Sequence, residues 1–125
     1  MTILTLEQLL ELHALIIEST GGSVGLRDLG RLEAALATQT QEVFGQELYG
    51  TLHEKAAAMI RGIVADHPFV DGNKRTAILV GLTFLERNGL RFVAKQGELE
   101  DFAVQVAVEH LDIPVIAAWL QAHAS

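Results

Sequence analysis

Cysteine is absent from the 125 residues, which excludes disulfides and thiolate metal sites. Aromatic side chains are scarce, at 6% of the chain, while half of the residues are hydrophobic. Alanine and leucine dominate that half, which favours helices over sheets. No apolar run approaches the roughly 20 residues needed to span a bilayer. The N-terminus has no basic segment ahead of an apolar one and does not read as a signal peptide. These absences suit a cytoplasmic protein. Cations are also few: 9 Lys and Arg against 16 Asp and Glu give a net charge of −7. That balance argues against non-specific binding to nucleic acid or to an anionic membrane. Neither is expected as a partner.

What is present reads as helices with clear punctuation. Thr5-Leu6-Glu7-Gln8 is a capping-box pattern, and Leu6, Leu9, Leu10, His13, Ile16 and Ile17 follow the helical period behind it. His13 falls on or beside that apolar face and reads as a half-buried core residue rather than a ligand. Gly21, Gly22 and Gly25 end this helix. Asp28 caps a second one running to about Thr38. Arg27 and Arg31 read as solvated, within reach of a substrate phosphate. Residues 39–50 read as an irregular connection that Phe44 and Tyr49 pin to the body and that borders the site. A second capping box, Thr51 to Glu54, opens a helix that delivers His67; His53 in its first turn reads as exposed. Lys74 to Asn88 is apolar nearly all round, the mark of a buried helix, with Gly89 placed to end it. A short extended piece, a helix from about Glu98 to His110 and a last helix after Asp112 and Pro114 complete the chain, with Trp119 packing the last helix onto the core.

One stretch carries chemistry: His67-Pro68-Phe69-Val70-Asp71-Gly72-Asn73-Lys74-Arg75-Thr76. Pro68 disfavours helical geometry at His67, so the preceding helix ends there. Gly72 permits a turn or the close approach of a ligand. Asn73 reads as an N-cap for a helix starting at Lys74. Lys74 and Arg75 then stand in the first turn, where the helix dipole is already positive and prefers acidic residues. A bound anion, most simply a phosphate, resolves that conflict. Asp71 can hold a divalent cation against such a phosphate, and His67 can act as a general base. The plainer reading makes His67 a helix-end residue, Asp71 a turn former and the cations solvated charges. Each plain role is the better one singly. Together, with cations at the wrong end of a helix, these residues favour function.

The stretch resembles the core motif of the Fic/Doc family, His-x-Phe-x-acidic-Gly-Asn-x-Arg, matched by His67, Phe69, Asp71, Gly72, Asn73 and Arg75. The Fic form that transfers AMP has Gly after the Asn and a second Arg three residues after the first. Here Lys74 and Ile78 stand at those places. That departure, the short length and Gly25-Leu26-Arg27-Asp28 look like the Doc, or death-on-curing, toxin branch.

The resemblance implies one Fic/Doc domain over residues 1–125. Its fold would be an all-α bundle of about six helices around the buried helix that follows the motif loop. It implies the toxin of a toxin–antitoxin pair: an ATP-dependent protein kinase that transfers phosphate to a Ser or Thr hydroxyl of a translation factor, elongation factor Tu, and so inhibits translation. His67 would be the base, with Lys74 assisting at the transferred phosphate. Asp71 would bind Mg²⁺, while Gly72, Asn73, Lys74 and Arg75 would hold the phosphates and Phe69 would anchor the loop. A separate antitoxin would restrain it, since the nearest match to an internal inhibitory motif, Thr38 to Glu42, is followed by Val43 rather than Gly or Asn. The alternatives are a Fic-type AMP transferase, a metal-dependent phosphohydrolase, against which stands the Asp66-His67 order, and a non-catalytic nucleotide-binding module.

Overall fold

The side-chain oxygen of Thr5 accepts the N–H of Gln8, and the Gln8 side chain accepts the N–H of Thr5 in return. This reciprocal cap opens α1 (Leu6–Thr20), whose buried residues Leu9, His13 and Ile17 recur every four positions along one face. In the computed structural model, which describes residues 1–125, five further helices follow: α2 (Leu29–Ala37), α3 (Leu52–Asp66), α4 (Asn73–Arg87), α5 (Glu98–Val108) and α6 (Ile113–His123). The fold is all-α, as expected. No helix is long and apolar enough to cross a membrane.

The core is built on α3 and α4. A Cβ added at Gly81 of α4 would meet Cδ1 of Ile60 at 2.5 Å, so only glycine there lets α3 lie this close. As expected, α4 is buried over most of its surface, including Thr76, Ala77, Ile78, Val80, Phe84 and Leu85. α3 is packed on more sides still, touching α2, α4, α5 and α6. Its small run Ala56-Ala57-Ala58 is buried and leaves room for those neighbours. Trp119 stacks on Phe102 with ring centroids 3.9 Å apart, fixing α6 to α5 as the sequence suggests. The extended piece after Gly89 pairs with the C-terminus, Arg91 and Ser125 exchanging both backbone bonds. His53 is not simply exposed: its ring Nε2 donates to the carbonyl of Ala124 at 2.7 Å.

The connection between α2 and α3 is more regular than expected. Glu42–Val43 (β1) and Gln46–Glu47 (β2) form a two-stranded antiparallel hairpin. Its turn residues Phe44 and Gly45 both have positive φ, which suits the right-handed twist of a tight hairpin. Phe44 does not pin this segment to the body; it stands at the tip, fully exposed. The anchor is Lys55 of α3, 3% exposed, whose Nζ donates to Glu47 Oε1 at 3.1 Å and to the carbonyl of Tyr49 at 2.6 Å. A lysine in an apolar helix face gives no sign in sequence of an acceptor eight residues upstream.

Candidate active site

α3 stops at Asp66 because Pro68 follows two residues later, and His67 takes a left-handed conformation at the helix end (φ 46°, ψ 60°). The chain then runs in a short loop to α4. That loop is fastened from several sides. Pro68 accepts backbone N–H groups from Arg27 at 2.7 Å and Asp28 at 3.0 Å, and Val70 donates to the carbonyl of Gly25 at 3.0 Å. Phe69 is 1% exposed, and its ring stacks on His13 with centroids 3.7 Å apart and planes 5° from parallel. The Nε2–H of His13 donates to the carbonyl of Asp71 at 2.9 Å. His13 is therefore a core residue, as its place in α1 suggests, and also a clamp on the loop.

Asn73 is not the N-cap expected of it. The helix begins at Asn73 itself, and Gly72 occupies the cap position in the left-handed region (φ 76°). Glycine is needed there for the backbone, and a Cβ would press on Cδ1 of Ile17 at 3.1 Å. The Asn73 amide reaches back instead. Its Oδ1 accepts the N–H of Phe69 and its Nδ2 donates to the carbonyl of Phe69, each at 2.9 Å. A buried loop whose backbone lacks partners is costly, and tertiary need outweighs capping preference here.

The first turn of α4 has no side-chain cap and no acidic residue. Lys74 and Arg75 are exposed in that turn, and the ion pairs of the protein are made by Arg31, Lys55 and His123 instead. Uncapped N–H groups and two free cations thus focus positive potential on one spot. His67, Val70, Asp71, Gly72, Asn73, Lys74 and Arg75 line a cleft of about 370 Å³ there. Its size lies within the range of small-ligand sites. Of the residues expected at the site, Phe69 alone lies behind the cleft wall rather than in it. Asp71 Oδ2 accepts the N–H of Ser23 at 2.8 Å, which orients the carboxylate. No group of three or more metal-ligating side chains exists in the protein.

Sequence reasoning missed the arginines' local task. Arg27 Nε donates to the carbonyl of His67 at 3.0 Å and its Nη2 to that of Asp66 at 3.1 Å. Arg31 lies beside them, 3.7 Å from the Asp66 carboxylate and 3.2 Å from that of Asp28. Cations at a helix C-terminus are favourable, but these come from a different element. The only signal for them was the Gly-Leu-Arg-Asp stretch.

The profile of the Fic/DOC family matches residues 3–85. The chain is 39% identical over 107 residues to "Toxin Doc" of Mycolicibacterium smegmatis, covering 84% of this chain and 82% of that protein. It is 35% identical over 115 residues to "Protein kinase doc" of Escherichia phage P1, covering 92% and 90% respectively.

Proposed function

Given that the chain belongs to the Fic/DOC family, we propose that it is a Doc-type toxin: a kinase that moves the γ-phosphate of ATP onto a Ser or Thr hydroxyl of a translation factor, elongation factor Tu. The observation that carries this reading is Lys74, exposed beside Arg75 in the uncapped first turn of α4 and in no ion pair. A flexible point charge there suits the terminal phosphate, the most highly charged part of a nucleotide. A neutral glycine would instead let a phosphate chain sink further against the helix. The names of the two relatives support the same reading, and the word toxin implies an antitoxin partner. A target in the translation machinery places the activity in the cytoplasm.

The chain's residues divide the work as follows. The His67 imidazole, exposed at the cleft, takes the proton of the target hydroxyl. That oxygen bonds to the γ-phosphorus as the bond to the β,γ-bridging oxygen breaks, and ADP leaves. The N–H groups of the α4 first turn, with Lys74 and Arg75, hold phosphate oxygens and meet the charge that develops on them. Asp71 offers a single oriented carboxylate, which suits a magnesium ion completed by phosphates and water rather than a protein-made cage. When bound, that ion would neutralise charge on the phosphates. Asn73, His13 and Phe69 keep the loop rigid, so that base and phosphate cradle hold their spacing.

The test is ATP labelled separately on the α- and γ-phosphates, incubated with the protein and a translation extract. Label reaching a protein from the γ-position alone is the expected result. Label arriving only from the α-position would overturn the kinase reading in favour of AMP transfer.

A further inference from the structure

His67 stands in a conformation that its sequence opposes. The left-handed region is unfavourable for a residue with a Cβ, and a following proline narrows the choice further. Such a residue persists only where its surroundings over-determine it. Here one residue supplies most of that determination. Arg27 takes three successive carbonyls: its Nη2 holds Asp66 at 3.1 Å, its Nε holds His67 at 3.0 Å and its backbone N–H holds Pro68 at 2.7 Å. The planar fork of a guanidinium holds two neighbouring oxygens in one rigid arrangement, whereas an ammonium is a point charge with rotatable donors that fixes no such plane. Its positive charge also lies against the negative end of α3.

The backbone that carries Arg27 is held in place by its neighbours. Asp28, the next residue, caps α2 by accepting the N–H of Arg31, and Arg31 pairs with Asp28 and Asp66, so a short charged network fixes the chain just after Arg27. Gly25, two residues before it, lies against Val70; a Cβ there would meet Val70 Cγ2 at 2.9 Å. The segment from Gly25 to Asp28 is thus pressed along the motif loop, with Leu26 paired to Phe69.

We propose that Arg27 is a positioning residue for His67: by binding the carbonyls on both sides of the His67 peptide units it fixes the backbone from which the imidazole reaches the cleft. The proposal rests on the reading of His67 as the base. It differs from a substrate-binding role, because both side-chain contacts of Arg27 are spent on the protein's own backbone.

The experiment compares wild type, R27A and R27K by NMR and by initial rates of γ-phosphate transfer from ATP to protein in a translation extract. In R27A the His67 Cα, Cβ and amide resonances should leave their left-handed values. The kcat should fall about tenfold or more, while the KM for ATP stays within about twofold, as misplacement of a catalytic group dictates. R27K keeps the charge but not the fork, and it should recover only a minor part of the loss. Unchanged His67 resonances, or an unchanged kcat, would overturn the proposal. So would a raised KM with normal kcat, which would make Arg27 a phosphate contact, or full recovery by R27K. Should R27A fail to fold, R27K decides: its His67 resonances must move. If wild type transfers no phosphate, the kinase reading fails, and the resonances alone judge Arg27.

Discussion

The side-chain amide of Asn73 makes two hydrogen bonds with the same backbone residue, accepting the N–H of Phe69 and donating to its carbonyl, both at 2.9 Å. All four atoms are buried in the turn that joins the end of α3, at His67, to the start of α4. The first residue of α4 thus ties its own helix to the loop before it.

Asn73→Ala is expected to leave both groups of Phe69 without partners in a buried place. Each such group costs about 1–3 kcal/mol, so the denaturant midpoint should fall clearly. Transfer should fall further than the unfolded fraction explains, because the loop sets the distance from His67 to Lys74. A variant as stable as wild type would mean that water takes over both bonds.

His67→Ala should reduce phosphate transfer by about 10²–10⁴ while nucleotide affinity and melting temperature stay close to wild type. The side chain is exposed, so little packing is lost with it. Paired measurements of turnover and calorimetric nucleotide binding check this. Near-normal turnover of the folded variant removes His67 from the base role.

Asp71→Asn keeps an acceptor for the Ser23 N–H but loses the charge. Nucleotide affinity in the presence of Mg²⁺ should weaken, while affinity in its absence should not. Titrations with and without the ion that give the same ratio in both proteins would make Asp71 a turn residue only.

Stability should depend on His123 with a defined sign. Its Nδ1 faces the carbonyl of Trp119 at 2.7 Å and its Nε2 faces Glu98 Oε2 at 3.1 Å, so both nitrogens meet acceptors and the charged ring is favoured. The Trp119 carbonyl, then Glu98, raise the His123 pKa above its ordinary 6.5. The Lys95 N–H, then His123, lower that of Glu98 below its ordinary 4.5. The histidine's contribution is complete below 6.5 and is lost as pH rises through its raised value. The carboxylate's contribution is complete above 4.5 and is lost as pH falls through its lowered value. Wild type should therefore exceed His123→Gln in melting temperature most between pH 4.5 and 6.5, with the gap narrowing in alkali. A gap independent of pH would mean that the ring acts through its stacking on Trp119 alone.

Local signals were enough for the six helices. Thr5, Asp28 and Thr51 cap because their oxygens reach N–H groups three residues on, a relation fixed within one turn of chain. Pro68 ends α3 for an equally local reason. The residues that line the cleft between His67 and Arg75 were also legible, because polar and charged side chains crowd into a few nearly consecutive positions. What sequence could not decide were bonds between elements distant in the chain. Asn73 has the preference of a cap and the position of one, yet the buried Phe69 backbone claims its amide. Phe44 is apolar enough to be buried, yet the two-residue turn exposes it. Arg27 and His13 lie 40 and 58 residues from the loop groups they hold, and nothing local marks them as partners. Patterning and motif belong to the chain. The geometry that holds His67 in its left-handed pose arises only when α1 and the segment before α2 close on the motif loop, because a buried or strained backbone must take its hydrogen bonds from whatever packing brings near.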